Sequence, residues 1–294
     1  MLSILIPTYN QDISGLVSEL HKQAMDTYVD FEIIVMEDGS TLFLNENKSV
    51  KVFERCIYIA YKENSGRSAI RNRLADKAKY EHLLFIDCDA EINSTHFVEK
   101  YISFCKEDCV VIGGTTYDPN ENNPNYSLRL KYGRQREARS AMERGKNNFS
   151  TFNFMISKSL FNSVRFDETI RGYGHEDMLF GHHLHELEHD LIQIENPLIH
   201  KGLDTNSVFL QKTEEAIRNL LLLWQTNRFP YLPDESKLLH YLIALKKFGL
   251  HTFCAFSFDV LRNMLRHQLC SPHPSLLLFD LYKILYLCKV SRQK

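Results

Sequence analysis

Two carboxylates one residue apart, Asp87 and Asp89 on either side of Cys88, directly follow the apolar run His82-Leu83-Leu84-Phe85-Ile86. A pair at a strand end cannot tuck both charges into a core, because an unpaired buried charge is costly. A hard divalent cation would satisfy it. Mg2+ or Mn2+ prefers oxygen ligands and would bridge such carboxylates to a diphosphate, neutralising charge on a leaving group. Taken alone, the triplet reads more readily as a solvated strand-end turn.

Two further acidic pairs lie in comparable places. Glu37-Asp38-Gly39-Ser40 follows the run Glu32 to Met36, and Glu176-Asp177 follows Gly172 and Gly174 and opens a predicted helix reaching Glu188. A helix N-terminus favours negative charge, so an acidic first turn is the plain reading of Glu176-Asp177. His182, His183, His185 and His189 lie on or near the same helix. His185 and His189 have the spacing of a zinc pair, but the four are read as surface or packing histidines.

The elements that must position these groups alternate. Ser3 to Pro7 and Glu32 to Met36 are short apolar runs that suit buried parallel strands, and between them Ile13 to Asp26 places Leu16, Leu20 and Ala24 at helical spacing. The pattern repeats with Cys56 to Ala60, a polar helix from Gly66 to Ala78, and the strand ending at Ile86. Such a series predicts a mostly parallel sheet with helices on its faces, and ligands gather outside the carboxyl ends of its strands. Further strands are expected at Val110 to Gly114, Thr151 to Ser157 and Leu191 to Ile194. The basic stretch Leu128 to Lys146 reads as either a loop or a helix, and is a candidate for holding a diphosphate or an anionic acceptor. After Gly202 the segments Thr213 to Gln225, Glu235 to Lys247 and Phe253 to Gln268 are amphipathic helices. The expected organisation is an α/β domain over residues 1–205 and a helical region over 206–294.

Composition narrows the partners. With 35 basic and 37 acidic side chains among 294 residues, no global basic field points to nucleic acid. Seven cysteines form no CxxC pair, which argues against a zinc ribbon and for reduced thiols in the cytosol. The N-terminal apolar run is too short for a signal peptide and reads as a strand. Leu276 to Val290 contains Asp280, Lys283 and Lys289, and falls short of the roughly 20 apolar residues that span a bilayer. A cytoplasmic protein is expected. The C-terminal helices combine apolar faces with Lys246, Lys247, Arg262, Arg266, Lys283 and Lys289, so they either lie on the inner membrane surface or pack on the catalytic domain or a second copy in a homo-oligomer.

The motifs together resemble a known family. Ser3-Ile4-Leu5-Ile6-Pro7-Thr8-Tyr9-Asn10, Ile33 to Ser40, Asn64-Ser65-Gly66 with Arg71-Asn72, and Phe85 to Asp89 occur in the order seen in family 2 glycosyltransferases of the GT-A fold. Phe166-Asp167-Glu168 and Gly172-Tyr173-Gly174-His175-Glu176-Asp177 look like the second-half signature of the same superfamily. The likeness covers Met1 to Gly202.

That resemblance implies an inverting transfer of a sugar from a nucleotide-diphosphate donor, UDP-hexose or UDP-N-acetylhexosamine, to a glycan or lipid-linked acceptor of the kind used in bacterial polysaccharide synthesis. It implies that Pro7, Thr8, Tyr9, Asp38 and Asn64 line the nucleoside pocket, that Arg71 lies near base and phosphate, and that Asp87 and Cys88 sit against the nucleotide-sugar. Asp89 would contact the metal, and His200 would be a further ligand. A mixed carboxylate and imidazole set suits Mn2+ somewhat better than Mg2+. Asp177 would be the general base and Glu176 would position the acceptor. Two departures stand out: Glu37 replaces the usual first aspartate, and Ala90 stands where many relatives carry a third acid. The reading from another class is a catalytically silent nucleotide-sugar-binding or scaffold subunit of the same fold.

Overall fold

The computed structural model describes residues 1–105, 109–145, 148–170 and 172–292. Among the described residues ten strands form two sheets: β1 (Leu2–Thr8), β2 (Phe31–Asp38), β3 (Cys56–Tyr61), β4 (His82–Ile86), β5 (Ala90–Glu91), β6 (Val110–Ile112), β7 (Thr115–Thr116), β8 (Asn153–Ser157), β9 (Leu191–Gln193) and β10 (Leu198–His200). The larger sheet runs in the order β3-β2-β1-β4-β8-β6-β9, and the smaller in the order β5-β10-β7.

The first four strands are parallel, as the alternating pattern requires. β8 is the exception, running antiparallel to both β4 and β6, with Phe85 opposite Phe154. Apolar residues on both faces of a strand explain its continuous hydrophobic reading. Ile4, Ile6, Ile33 and Val35 pack on one face with Leu16 and Leu20 of the Ser14–Asp26 helix. Their neighbours Leu5, Ile34 and Met36 pack on the other with Ile70 and Leu74 of the Arg67–Lys77 helix. Each such buried side chain contributes about 1.5–3 kcal/mol, so the strand ends are held on a rigid platform.

The chain divides into two compact units, Met1–Asp118 with Arg136–Arg171 and Glu176–Gly202, and Pro119–Gln135 with Gly172–His175 and Leu203–Lys294. The second unit is helical. Its principal helices are Ser127–Tyr132, Asn206–Gln225, Lys237–Lys247, His251–Leu269 and Leu276–Val290. Thr205, Ser236 and Ser275 cap three of them by accepting from the amides of Val208, Leu239 and Leu278, which satisfies orphan donors at each first turn. Inside this unit Glu214 accepts from Tyr282 and from Arg266, the latter at 3.0 Å.

The basic stretch begins as the Ser127–Tyr132 helix, continues as a π-helical turn over Gly133–Glu137, and ends in a short helix, Ala141–Arg144. Lys146 lies outside the described residues. Its charges are largely engaged within the protein: Arg129 lies over the Phe209 ring at 5.2 Å, Lys131 donates to Pro274 O and Arg134 to Glu121 O. Arg144 is buried, donates to Gln193 Oε1 and Ile194 O, and fills the space a side chain at Gly114 would need. Among the described residues no helix is long and apolar enough to cross a membrane. An apolar strip nevertheless faces solvent, formed by Phe248, Leu250, Phe253, Phe256, Val260 and Met264, each at least half exposed.

Candidate active site

At the end of β2 the two acids take different jobs. Glu37 is fully buried, accepting from Asn47 Nδ2 at 2.7 Å, from Tyr58 and from Ser40. Asn47 in turn accepts from Ile13 N–H, and Ser40 accepts from Asn10 N–H at 2.9 Å. Glu37 therefore ties the loop after β2 to the loop after β1, and its longer side chain points into the protein. Asp38 faces the other way. Its Oδ1 accepts from the amide and hydroxyl of Ser65 at 2.8 and 2.6 Å, and its Oδ2 from Gly66 N–H at 2.9 Å. A carboxylate has about four acceptor sites, and these three bonds fill all but one of them. Asn64 donates to Asp38 O, and Gly39 (φ +77) can be nothing larger, because a Cβ there would lie 2.5 Å from Asn64 N.

The β1 loop offers less side chain than its motif suggests. Thr8 is buried with its hydroxyl on Ile6 O, and Pro7 is half-buried, whereas Tyr9 is 54% exposed. Tyr9 is the member of this group with a side chain surface to present.

Arg71 joins two of the acidic pairs. It is buried, its Nη2 donates to Asp87 Oδ1 at 2.7 Å, its Nη1 stands 3.8 Å from Glu176 Oε1, and the guanidinium lies over the Phe166 ring. Arg67 approaches the same Glu176 oxygen at 3.7 Å. Asp76, near the end of the same helix, is not its partner and forms a two-pronged pair with Arg165. Next to Arg71, Asn72 donates to Phe166 O and Glu168 Oε1 and accepts from Phe166 N–H, which clamps the Phe166-Asp167-Glu168 motif to the helix. Nε and Nη1 of Arg71 are buried without a hydrogen-bond partner. Orphaned donors of a fixed cation are costly, and an anionic oxygen would relieve them.

Asp89 is paired across the chain. His200 Nε2 lies 3.0 Å from Asp89 Oδ2, and the imidazole is held edge-on by the rings of Phe152 and Tyr117. Lys201 N–H donates to Asp89 O, and Gly202 packs so closely that a Cβ would clash with Oδ2 and lie 2.8 Å from Asp89 Cβ. Burial pushes the Asp87 carboxyl above the usual carboxylate range, against the pull of Arg71 and with the Asp89 charge adding to it. At Asp89 burial also works upward, but the hydrogen bond and charge of His200 outweigh it and hold the carboxyl low. The Cys88 thiol is pushed up to about 12, chiefly by burial.

Glu176 and Asp177 open the Glu176–Glu186 helix, with Glu176 buried and Asp177 half-buried, its Oδ1 accepting from Met178 N–H at 2.8 Å. The spacing His185-Glu186-Leu187-Glu188-His189 spells the HExxH pattern, but the helix ends at Glu186 and Glu188 turns left-handed at φ +56. The two imidazoles do not share one helical face. Among the described residues no group of three His, Cys, Asp or Glu side chains is placed to hold a metal ion. Asp89 with His200 is a two-member set. Arg67, Asn72, Ser65, Tyr117 and Gly202 were not singled out individually in the sequence; Asn72 and Ser65 belong to motifs read there, and nothing local marks the other three.

The model of glycosyl transferase family 2 matches residues 3–165, over half of the chain. The chain belongs to that family. The putative glycosyltransferase EpsH of Bacillus subtilis is 24% identical to this family 2 chain over 257 residues, 84% of this chain and 73% of the relative. Several other curated relatives are much longer, and the chain spans about a fifth of their length. Among solved structures, the mannosyltransferase PcManGT from Pyrobaculum calidifontis, in complex with GDP-Man and Mn2+, is similar at a TM-score of 0.57 and 12% identity, over 99% of this chain and 86% of that one. S. aureus TarS 1-349 in complex with UDP is similar at a TM-score of 0.52 and 16% identity, over 99% and 91%. At such identities the likeness is one of fold, and the GT-A architecture with C-terminal helices expected from the sequence stands.

Proposed function

We propose that this family 2 chain is an inverting glycosyltransferase that moves a hexose or N-acetylhexosamine from a UDP-linked donor to a hydroxyl of a glycan or lipid-linked saccharide. The observation that carries the reading is Arg71, a buried cation with two unpartnered donors that touches Asp87 and reaches toward Glu176. Its positive charge and unmet donors lie beside carboxylates with distinct environments, and a diphosphate oxygen would satisfy them once the site opens enough to admit it. UDP is chosen over GDP from the sequence resemblance and the UDP-bound TarS structure; GDP-Man in PcManGT makes GDP the competing donor.

Asp89 and His200 fit a divalent ion as a hard oxygen and an imidazole nitrogen, leaving further positions to donor phosphates and water. Such an ion, Mn2+ or Mg2+, would neutralise charge developing on the diphosphate. Asp38 would accept from the base through its one remaining site, Tyr9 would cover the nucleoside, and Arg71 would bind phosphate oxygen. Asp177 would take the proton of the acceptor hydroxyl while that oxygen bonds to the anomeric carbon from the face opposite the diphosphate. The anomeric C–O bond breaks, its electrons leave with the nucleoside diphosphate, and the configuration inverts. Glu176, tethered by Arg67 and Arg71, would orient the acceptor.

For the C-terminal helices, Lys246 and Lys247 beside exposed Phe248, Leu250, Phe253 and Phe256 support attachment to an anionic membrane surface, with apolar rings at the acyl boundary and ammonium groups at the headgroups.

The test is a panel of UDP- and GDP-sugars scored by nucleotide release with Mn2+, Mg2+ or EDTA. Release from a UDP-sugar that needs the metal is expected. No release from any donor, with nucleotide still bound, would instead favour the catalytically silent subunit.

A further inference from the structure

The helical unit encloses a cavity of about 230 Å³ walled by Tyr132, Tyr173, Phe209 and Phe279, with Lys212 and Lys283 among the rings. These aromatics come from four separate segments. Three of them meet, with Tyr132 to Phe209 at 5.6 Å between centroids, Tyr132 to Phe279 at 5.7 Å and Phe209 to Phe279 at 5.5 Å. Phe279 is buried; Tyr132, Tyr173 and Phe209 are half-buried, with Lys283 Nζ 5.7 Å from the Tyr132 centroid, Lys212 Nζ 5.6 Å from that of Tyr173 and the Arg129 guanidinium 5.2 Å from that of Phe209.

Charge and shape select the ligand class. Lys212 Nζ is 2.8 Å from Asp204 and Lys283 Nζ is 2.8 Å from Asp280. Each ammonium is matched by a carboxylate, so the cavity has little net field with which to draw a phosphate. An ammonium carries three donors, and one to a carboxylate leaves capacity for neutral hydroxyl oxygens. Half-buried aromatic rings with ammonium donors set over them fit a pyranose, which has an apolar C–H face and a polar edge. The volume falls below the roughly 300–1,000 Å³ of drug-sized pockets, which suits one ring.

The strap that supplies Tyr173 is firmly held. Asn219 Nδ2 donates to Gly174 O at 3.1 Å, His175 Nε2 lies 2.8 Å from Ala216 O, and a Cβ at Gly172 would sit 2.5 Å from the Asn219 side chain. Gly174 and His175 are both left-handed, at φ +83 and +77, an uncommon state for a histidine. In sequence the strap leads straight into Glu176 and Asp177.

We propose that this cavity binds a single neutral hexopyranose unit of the acceptor. The proposal rests on the transferase reading for the word acceptor, and its test does not. Saturation-transfer NMR on the full chain would use the methyl β-glycosides of glucose, galactose and their N-acetylated forms as probes. Transfer to the ring C–H protons of at least one glycoside is expected. Tyr173→Ala should weaken that binding about tenfold, Tyr173→Phe should retain most of it, and inorganic phosphate should not compete. If Tyr173→Ala melts, Lys212→Met is read in its place for a loss of binding. Absence of transfer from every glycoside, transfer indifferent to both variants, or displacement by phosphate would each overturn the proposal. Nucleotide release is scored separately: its failure removes the transferase reading and leaves saccharide binding to be judged by the spectra.

Discussion

His200 and Asp89, 111 positions apart in the chain, meet at 3.0 Å through Nε2 and Oδ2. If this pair holds the ion, His200→Ala should weaken Mn2+-dependent nucleotide binding by about 10–100-fold, the range seen when a site loses an imidazole or its support. Asp89→Ala should remove the metal dependence altogether. Calorimetry with Mn2+ and with EDTA reads both, and undiminished Mn2+-dependent binding by Asp89→Ala would sink the assignment.

Gly202 tests the same place without replacing a proposed ligand residue. Because a Cβ there meets the Asp89 side chain, Gly202→Ala should cost about 1–3 kcal/mol of stability, as overpacking does, or displace the carboxylate and weaken metal-dependent binding. A variant that melts and binds like the original chain would show that the contact yields freely.

Asp177→Asn should leave nucleotide binding nearly intact while lowering transfer by about 10²–10⁴-fold, the range for general-base catalysis. Product analysis at matched nucleotide saturation checks it. Unchanged transfer would remove Asp177 from the role.

Asp38 combines anchoring with its proposed contact to the base, and the two can be separated. Ser65→Ala removes one of its hydrogen bonds and should cost about 1.5–3 kcal/mol, typical of a bond to a charged group, with a modest loss of nucleotide affinity. Asp38→Asn should lose more affinity than stability relative to Ser65→Ala if the base also binds there. Denaturant melts beside nucleotide titrations give the comparison; equal losses in both variants would leave anchoring as its whole function.

Replacing Phe253 and Phe256 together by Glu should sharply reduce co-sedimentation with phosphatidylglycerol vesicles and change little with phosphatidylcholine. Equal sedimentation of variant and original chain would exclude this strip as the membrane contact.

The sequence was most legible where structure is local. Apolar runs and helical spacing gave β1 to β4 and the Ser14–Asp26 and Arg67–Lys77 helices to within a residue or two, and strand ends marked where the acids would gather; the short Leu44–Lys48 helix between β2 and β3, only five residues long, was not read. The antiparallel course of β8 was not legible, since its residues read the same in either direction and only its pairing with β4 and β6 fixes it. Glu37 stood out in the sequence only as a departure from the usual aspartate, because the partners that give it a structural role, Asn47 and Tyr58, lie 10 and 21 positions away. The basic stretch stayed ambiguous for a physical reason: it passes from one compact unit to the other, and its arginines are drawn to separate sets of carbonyls and rings. The aromatic cavity draws on four distant segments, none with a motif of its own.

The separation of Asp89 from His200 also sets a schedule for biosynthesis. At about 5–20 residues per second, the imidazole is made roughly 6–22 s after the carboxylate it will face. During that interval β1 to β4 are available to pair, whereas β10 does not yet exist. A nascent chain can therefore hold the loops after β1 and β2 in place while still lacking half of its proposed metal site, and maturation of that site is a late event in the life of each molecule.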